Sequence, residues 1–178
     1  GGLGTRLGRL TKNCPKPMLK IKGKPILQHI IEKASKDGFF NIFISTYFLS
    51  HMIEDYFGTG ENFNVKITYL KETTPLGTAG CLQLLPKLNT PIVVTNGDLI
   101  SKIGYKTILD FHQSVSANAT MAVIEHKIQH PFGVIKSDGV DLIEFDEKPI
   151  WKTNVNAGIY VLDNSAITLV KPRENITM

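Results

Sequence analysis

Cysteine is scarce in this sequence, which contains only Cys14 and Cys81. The two residues lie far apart, and neither belongs to a CxxC pair. The spacing therefore predicts neither a disulfide framework nor a zinc site. Two unpaired cysteines suit a reducing compartment, so we expect a cytoplasmic protein.

Long apolar runs and long charged runs are both missing. No segment approaches the roughly 20 apolar residues that span a bilayer, and no basic start leads into the apolar core of a signal peptide. Lysine and arginine number 20 against 16 aspartate and glutamate residues, and they are scattered along the chain. We therefore expect neither a membrane nor a nucleic acid as a partner, whereas the mild basic excess suits small anionic ligands.

The sequence does contain enough apolar material for one folded domain. Its 178 residues are 42% hydrophobic, which predicts a single globular domain over residues 1–178. The chain starts on Gly1 without an initiator methionine and stops at Met178 within a pattern of elements. We expect this domain to be truncated at both ends, with its first strand and its C-terminal part outside these residues.

Strand-like and helix-like segments alternate over the first two thirds of the chain. Helical segments carry apolar residues at the spacing of one helix face, and strands are short β-branched runs. The pattern predicts helices over residues 25–39, 50–57, 78–85 and 105–116, and strands over 41–46, 65–72, 91–98 and 119–125. Beyond residue 130, strand-like segments follow one another without helices. The sequence therefore predicts an α/β fold with parallel βαβ units and an antiparallel patch.

The first ten residues, GGLGTRLGRL, are rich in glycine. Ligands of an open α/β sheet bind beyond the carboxyl ends of the strands, and glycines let backbone N–H groups approach a phosphate. Arg6 would add a positive charge that can bind a phosphate through two hydrogen bonds. A flexible linker is the alternative interpretation, because a glycine-rich run alone is weak evidence.

Two further residues lie where chemistry is expected. Lys16 stands between Pro15 and Pro17, whose fixed φ angles predict a stiff, extended segment. Asp98 ends the tripeptide NGD, which follows the most apolar strand. The alternatives without function are a solvated loop lysine and an aspartate that only favours a turn.

The order of these motifs resembles that of the sugar-1-phosphate nucleotidyltransferases. GGLGTRL, PKPML and GKPIL are followed by PLGTAG at 75–80, NGD at 96–98, FGV at 132–134, EKP at 147–149 and VNAGIYV at 155–161. The match extends through nearly the whole chain, and the combination is specific although each piece is short. The resemblance implies a Rossmann-like, mostly parallel sheet flanked by helices, with a smaller antiparallel region that binds the sugar.

The resemblance also implies a nucleotide site. The glycine loop would wrap the triphosphate, Lys16 would steady the phosphate during transfer, and Asp98 would bind Mg²⁺. It assigns nucleotide binding to Gly1, Gly2, Gly4, Thr5, Glu72, Gly77 and Thr78, and catalysis to Arg6, Lys16 and Asp98.

A sugar-phosphate site is implied in the same way. Glu147 would hold sugar hydroxyls and Lys148 the phosphate of the sugar, while Gly133 and Asn156 would line the pocket. The chemistry agrees with this division, because joining two polyanions requires positive charge aimed at the transferring group. An ionised phosphate monoester needs no general base, so in-line positioning is the main task.

Glu72 bears on the choice of base, because it ends a strand just before TTPLGTAG, where the family reads the base. A carboxylate accepts two hydrogen bonds from guanine, one from uracil or thymine, and none from N3 of cytosine. We therefore favour GTP, with UTP or dTTP as the alternative. The alternative, that Glu72 only solvates the end of a strand, stays open.

Rival functions fit the sequence less well. A dinucleotide-dependent dehydrogenase needs G-x-G-x-x-G, but Leu7 stands where the last glycine belongs. A non-catalytic relative that binds sugar nucleotides would be expected to lose Arg6, Lys16 or Asp98, and all three are present. The family's second metal-binding aspartate is expected beyond the strand that ends near Leu162, outside these residues.

We therefore predict a Mg²⁺-dependent transferase. It joins a hexose 1-phosphate to an NTP, leaning to GTP, and gives a nucleoside-diphosphate sugar and pyrophosphate. Thymidylyl or uridylyl transfer and a regulatory sugar-nucleotide-binding protein are the alternatives. The sugar and a homo-oligomeric state are left open.

Overall fold

A computed structural model describes residues 11–171 and 175–178. The described residues up to Thr120, together with those from Gly158 onward, form one compact unit, and Met121–Ala157 form a second. The glycine loop with Arg6 lies outside the described residues. The single domain over residues 1–178 stays a prediction.

Helices and strands alternate through the first unit, as predicted. The helices are α1 (Ile26–Lys36), α2 (Ser50–Phe57), α3 (Gly77–Gly80), α4 (Tyr105–Ser114) and α5 (Asn164–Ile167). The strands are β1 (Lys20–Ile21), β2 (Lys24–Pro25), β3 (Asn41–Thr46), β4 (Lys66–Lys71), β5 (Ile92–Thr95), β6 (Ala119–Gln129), β7 (Val134–Asp138), β8 (Asp141–Asp146) and β9 (Ile150–Leu162). The α/β class with an antiparallel region is confirmed.

The segment predicted as one helix over 78–85 differs from the expectation. It divides into α3 and a 3₁₀ turn over Cys81–Leu84. Glycine has low helix propensity, and α3 both begins and ends on glycine. The pattern of apolar residues in this segment therefore reports which side chains are buried rather than a continuous helix.

Strands β3 and β4 form a parallel ladder that the helices cover. The register runs from Asn41 opposite Lys66 to Thr46 opposite Lys71. Apolar side chains from both strands, from α1 and α2 and from the segment before β4 form one buried cluster: Leu27, Ile31, Ile44, Ile53, Phe57, Val65 and Ile67. Burying each large side chain contributes about 1.5–3 kcal/mol, so this cluster holds the ladder against α1 and α2.

A second sheet contains β5, β9 and β6 in that order. Strand β5 pairs antiparallel with the end of β9, from Ile92 opposite Leu162 to Thr95 opposite Ile159. Its own buried cluster contains Ala79, Leu82, Tyr160 and Leu162. The end of β5 is thereby anchored just before the NGD tripeptide.

The antiparallel patch predicted beyond residue 130 is present in the second unit. Strands β7 and β8 pair antiparallel, from Val134 opposite Asp146 to Asp138 opposite Asp141, with an irregularity between Lys136 and Ser137. The turn that follows β8 contains Lys148, whose φ of 50° lies in the left-handed region. This unit carries the residues that the resemblance assigns to the sugar.

Candidate functional site

Lys16 lies in a single 3₁₀ turn over Lys16–Met18. Both flanking residues, Pro15 and Leu19, have extended backbone, and the N–H of Met18 donates to the carbonyl of Pro15 at 2.8 Å. Lys16 itself is therefore in a 3₁₀ turn and not in the extended backbone that the sequence predicts, because the hydrogen bond from Met18 to Pro15 closes a turn around it. The Lys16 ammonium forms an ion pair with the Asp98 carboxylate.

Asp98 is placed by the turn that follows β5. The N–H of Asn96 donates to the carbonyl of Gly158 at 3.2 Å, and the N–H of Leu99 donates to the carbonyl of Asn96 at 3.3 Å. The Pro17 ring packs beside this turn, where a Cβ on Gly97 would stand 3.5 Å from its Cγ. The proline segment and the turn after β5 thus form one local arrangement.

The Lys16–Asp98 pair is accessible to solvent. The Lys16 side chain is 40% exposed and the Asp98 side chain 28% exposed. Ion pairs at such positions stabilise a fold by only about 0–1 kcal/mol. The Lys16–Asp98 pair therefore contributes little to the stability of the protein. Water, a phosphate or a cation can instead reach both charges.

A cavity of about 1670 Å³ in the first unit contains this pair. Its walls also include Gly77 and Thr78, which sequence analysis assigned to the nucleotide. Residues of α1, β3, β4 and β5, both apolar and polar, also contribute to its walls. Four predicted site residues from three separate motifs therefore share one cavity: Lys16, Gly77, Thr78 and Asp98.

Cys81 lines the same cavity. Burial raises the pKa of its thiol, so the group stays protonated near neutral pH. A protonated thiol is a poor nucleophile. Cys81 therefore serves packing rather than covalent chemistry.

Glu72 lies one residue beyond β4, at the carboxyl end of the parallel ladder. Its N–H donates to the carbonyl of Thr46 at 2.9 Å. One carboxylate oxygen accepts a hydrogen bond from the hydroxyl of Ser45 at 2.5 Å, and the other accepts one from the N–H of Leu76 at 3.0 Å. Burial acts to raise the pKa of Glu72, but hydrogen bonds, including those from Ser45 and Leu76, hold it below its ordinary value.

Both oxygens of Glu72 therefore have partners within the chain. The side chain is 7% exposed and organises the turn between β4 and α3. Whether it also reads a base stays a prediction.

In the second unit, Gly133 and Glu147 lie together. A Cβ on Gly133 would stand 2.9 Å from a carboxylate oxygen of Glu147 and 2.7 Å from the ring of Phe145. No side chain fits at this position without moving its neighbours, so glycine lets the two segments approach closely. The Lys148 ammonium stands 3.9 Å from Glu147, and both side chains are more than half exposed.

The four residues assigned to the sugar phosphate all belong to this second unit. Gly133, Glu147 and Lys148 occupy the loops next to β7 and β8, and Asn156 lies on β9. An acidic and a basic group thus stand side by side on an accessible surface. This pairing can bind hydroxyl groups and a phosphate.

Three supporting residues were missed by sequence analysis. Pro17 packs on the turn that carries Asp98, Gly158 accepts its backbone hydrogen bond, and Ser45 donates to Glu72. Pro17 and Gly158 belong to motifs already quoted, so only their partners were unknown. Nothing in the pattern around Ser45 distinguishes it from any other serine at the end of a strand.

The carboxylate, imidazole and thiol groups of the chain bear on metal binding. In residues 11–171 and 175–178, no three His, Cys, Asp or Glu side chains form a group that could hold a metal ion. Asp98 is nevertheless an accessible carboxylate at the cavity. Magnesium at nucleotide sites is held by one or two carboxylates together with substrate phosphates, so Asp98 fits as one ligand of an ion that arrives with the nucleotide.

The five histidines were not expected to bind metal. His112 is 2% exposed and contacts the hydroxyl of Thr120 at 2.8 Å and the carboxylate of Asp163 at 3.4 Å. It is therefore a buried, hydrogen-bonded core residue. None of the helices in the described part of the chain is both long and apolar enough to cross a bilayer.

Comparison with known proteins identifies the family of the chain. The family model described as nucleotidyl transferase matches residues 1–175. The chain is 36% identical over 184 residues to a mannose-1-phosphate guanyltransferase of Yarrowia lipolytica, a match that covers 97% of this chain and 50% of that protein. It is 32% identical over 184 residues to a mannose-1-phosphate guanylyltransferase of Mycobacterium tuberculosis, a match that covers 100% of this chain and 51% of that protein.

A solved structure has the same fold. HddC from Yersinia pseudotuberculosis, complexed with GMP-PN, is 26% identical, with a TM-score of 0.72 over 99% of this chain and 79% of that chain. The chain spans about half the length of the curated relatives it matches. On the strength of a family match over residues 1–175, the chain belongs to the nucleotidyl transferase family.

Proposed function

We propose that the protein containing this chain transfers a nucleotidyl group from an NTP, with GTP preferred, to a sugar 1-phosphate. The products are a nucleoside-diphosphate sugar and pyrophosphate. The observation that carries this proposal is the Lys16–Asp98 ion pair, which lines one cavity with Gly77 and Thr78. The guanylyltransferase relatives at 32% and 36% identity support the reaction class and the preference for GTP.

In the proposed reaction an oxygen of the sugar phosphate attacks the α-phosphorus of the NTP. A new P–O bond forms as the bond between the α-phosphorus and the oxygen bridging to the β-phosphate breaks, and pyrophosphate leaves with that electron pair. A phosphate monoester is largely ionised near neutral pH, so no side chain has to remove a proton. Catalysis therefore depends on alignment and on positive charge.

The chain supplies that charge from several places. Lys16 stands at the cavity, stiffened by its prolines, where it can meet the transferring phosphate. Arg6 would neutralise the triphosphate, and Lys148 would hold the phosphate of the sugar. These last two roles rest on the resemblance of the motifs.

Magnesium is proposed as the cofactor, with Asp98 as its ligand from this chain. The ion would neutralise charge on the triphosphate. Lys16 contacts Asp98 in this structure, and its ammonium could instead contact a phosphate of the nucleotide. Lys16 thus has two alternative anionic partners.

Thymidylyl or uridylyl transfer is the second candidate. The observation that favours it is that Ser45 and Leu76 already occupy one acceptor site on each Glu72 oxygen. Guanine would need a second site on both oxygens, whereas uracil or thymine would need one on a single oxygen.

A pyrophosphate-release screen of the full-length protein tests both candidate functions, guanylyl transfer and thymidylyl or uridylyl transfer. Four NTPs are paired with several hexose 1-phosphates in the presence of Mg²⁺. Release with GTP and one sugar phosphate is the expected result. Preference for UTP or dTTP would overturn the choice of base, and binding of a sugar nucleotide without any release would instead indicate the regulatory alternative.

A further inference from the structure

The last four residues, 175–178, lie along residues 75–80. The N–H of Ile176 donates to the carbonyl of Leu76 at 2.9 Å, and its carbonyl accepts the N–H groups of Ala79 at 2.9 Å and Gly80 at 3.2 Å. We call residues 175–178 the tail segment and residues 75–80 the nucleotide loop. One tail residue therefore holds both ends of the loop.

Two more hydrogen bonds extend this contact to the ends of the tail segment. The side-chain amide of Asn175 donates to the carbonyl of Pro75 at 3.0 Å. The N–H of Met178 donates to the hydroxyl of Thr78 at 2.8 Å. Thr78, which sequence analysis assigned to the nucleotide, is thus oriented by the tail segment.

Apolar packing anchors the same segment. Ile176 and Met178 pack against the buried cluster of Ala79, Leu82, Tyr160 and Leu162. The side chains of Ile176 and Met178 contact the core, while their backbone groups form hydrogen bonds to the loop. A tail segment that served only to cover the core would not need five hydrogen bonds to the loop.

Gly77 explains why the loop and the tail segment fit so closely. Its φ is +80°, which side-chain-bearing residues rarely adopt. A Cβ at this position would collide with the carbonyl oxygen of Ile176 and would stand 2.7 Å from Oδ1 of Asn175. The glycine of the motif is therefore required by the tail segment as well as by the turn.

The tail segment also reaches the cavity. Asn175 and Thr177 line it together with Lys16 and Asp98. We propose that the tail segment is a positioning element of the nucleotide site, in which Asn175 and Ile176 set the conformation of the nucleotide loop. The proposal rests on the proposed role of Gly77 and Thr78 in binding the nucleotide.

Two variants of the full-length protein test this proposal. Asn175→Ala removes the bond to Pro75, and Ile176→Pro removes the N–H that donates to Leu76 while keeping the carbonyl. Ser165→Ala is the matched control, because it removes an exposed 3.2 Å hydrogen bond to Asn118 elsewhere in the same unit. Amide exchange at Ala79 and Gly80 is measured together with KM for the NTP, KM for the sugar phosphate and kcat.

Because each variant loses one hydrogen bond to the loop, we expect amide exchange at Ala79 and Gly80 to be roughly 5–10 times faster than in the wild type. The KM for the NTP should rise by a similar factor. The KM for the sugar phosphate stays within about twofold, and Ser165→Ala matches the wild type in every measurement. Unchanged exchange at both amides overturns the contact. Faster exchange with an unchanged NTP KM, or an equal rise in both KM values, overturns the positioning role.

The exchange measurement separates this proposal from the proposed function. A wild type that releases no pyrophosphate with any NTP overturns the proposed function, and NTP binding is then measured with a fluorescent GTP analogue. Weaker binding of the analogue by both variants would still support the tail segment as a positioning element. Equal affinity in the wild type and both variants would overturn it.

Discussion

The ammonium of Lys16 and the carboxylate of Asp98 form an ion pair although three α-helices, five strands and the loops between them separate the two residues in the chain. Each belongs to a motif that sequence analysis had selected independently. Beside the pair, the Pro17 ring packs against the turn at Gly97. Both side chains of the pair are partly exposed to solvent, so each charge is accessible from the cavity.

Replacing Lys16 with methionine is expected to reduce kcat/KM by about 10²–10³-fold, the usual effect of removing a group that stabilises the transition state. The free energy of unfolding should change by less than about 1 kcal/mol, because the pair is solvent-exposed. Pyrophosphate release and chemical denaturation measure the two quantities. Lys106→Met, which removes an exposed pair with Asp110, is the control, and equal loss of activity in both variants would contradict the assignment.

Substitution of Asp98 by asparagine is expected to raise the Mg²⁺ concentration required for half-maximal activity, because a neutral amide is a weaker ligand for a hard cation than a carboxylate. Mg²⁺ titrations of pyrophosphate release provide the measurement. Asp110→Asn on the exposed face of α4 serves as the control. An unchanged Mg²⁺ requirement together with full activity would remove Asp98 from the metal site.

Alanine at Gly133 is expected to displace Glu147, since the added Cβ would stand 2.9 Å from its carboxylate and 2.7 Å from the ring of Phe145. If Glu147 binds sugar hydroxyls, the KM for the sugar phosphate rises about tenfold while the KM for the NTP is unchanged. Steady-state kinetics with each substrate varied in turn distinguish the two. Ser137→Ala on β7 is the control, and a rise confined to the NTP would contradict the sugar-site assignment.

Replacing Glu72 with glutamine is expected to lower the free energy of unfolding by about 1–3 kcal/mol, because the amide has only one oxygen to accept the bonds from Ser45 and Leu76. If Glu72 also reads the base, the ratio of kcat/KM for GTP to that for dTTP falls as well. Denaturation and competition kinetics measure the two effects. A lower stability with an unchanged ratio would show that Glu72 only organises its turn.

Asp37 links the end of α1 to the start of α4, and this link should depend on pH. Its carboxylate accepts the N–H of Tyr105 at 2.7 Å and the ammonium of Lys33 at 3.1 Å. Burial acts to raise the pKa of Asp37, but these bonds outweigh it and hold the pKa below its ordinary value of 3.8. The contribution to stability is therefore complete above about pH 3.8 and is lost as the pH falls through the lowered pKa.

The test compares the wild type with Asp37→Asn. At pH 7 the variant should be less stable by about 0.5–1.5 kcal/mol, and the difference should shrink below pH 3.8. Denaturant unfolding across this pH range supplies the data. Asp110→Asn should lie within about 0.5 kcal/mol of the wild type at every pH, and a difference between wild type and Asp37→Asn that does not vary with pH would contradict this origin.

Local sequence determined most of the elements. The predicted bounds of β3 and α2 match the structure because each is a short segment whose apolar residues and flanking turn residues agree. The prediction of a single helix over 78–85 was wrong, because α3 begins at Gly77 and ends at Gly80, and a 3₁₀ turn follows it. Propensity decided the outcome there, and burial of Ala79 and Leu82 had produced a misleading periodicity.

The amino-acid order alone determined the α/β class, the antiparallel patch, and the motifs that hold Lys16, Asp98 and Gly77, since each depends on residues close together in the chain. Only the tertiary structure decided that Lys16 contacts Asp98, that Ser45 and Leu76 engage Glu72, and that the tail segment lies on the nucleotide loop. Those contacts join residues far apart in sequence. Their geometry depends on how whole strands and helices pack, which no local pattern of residues records.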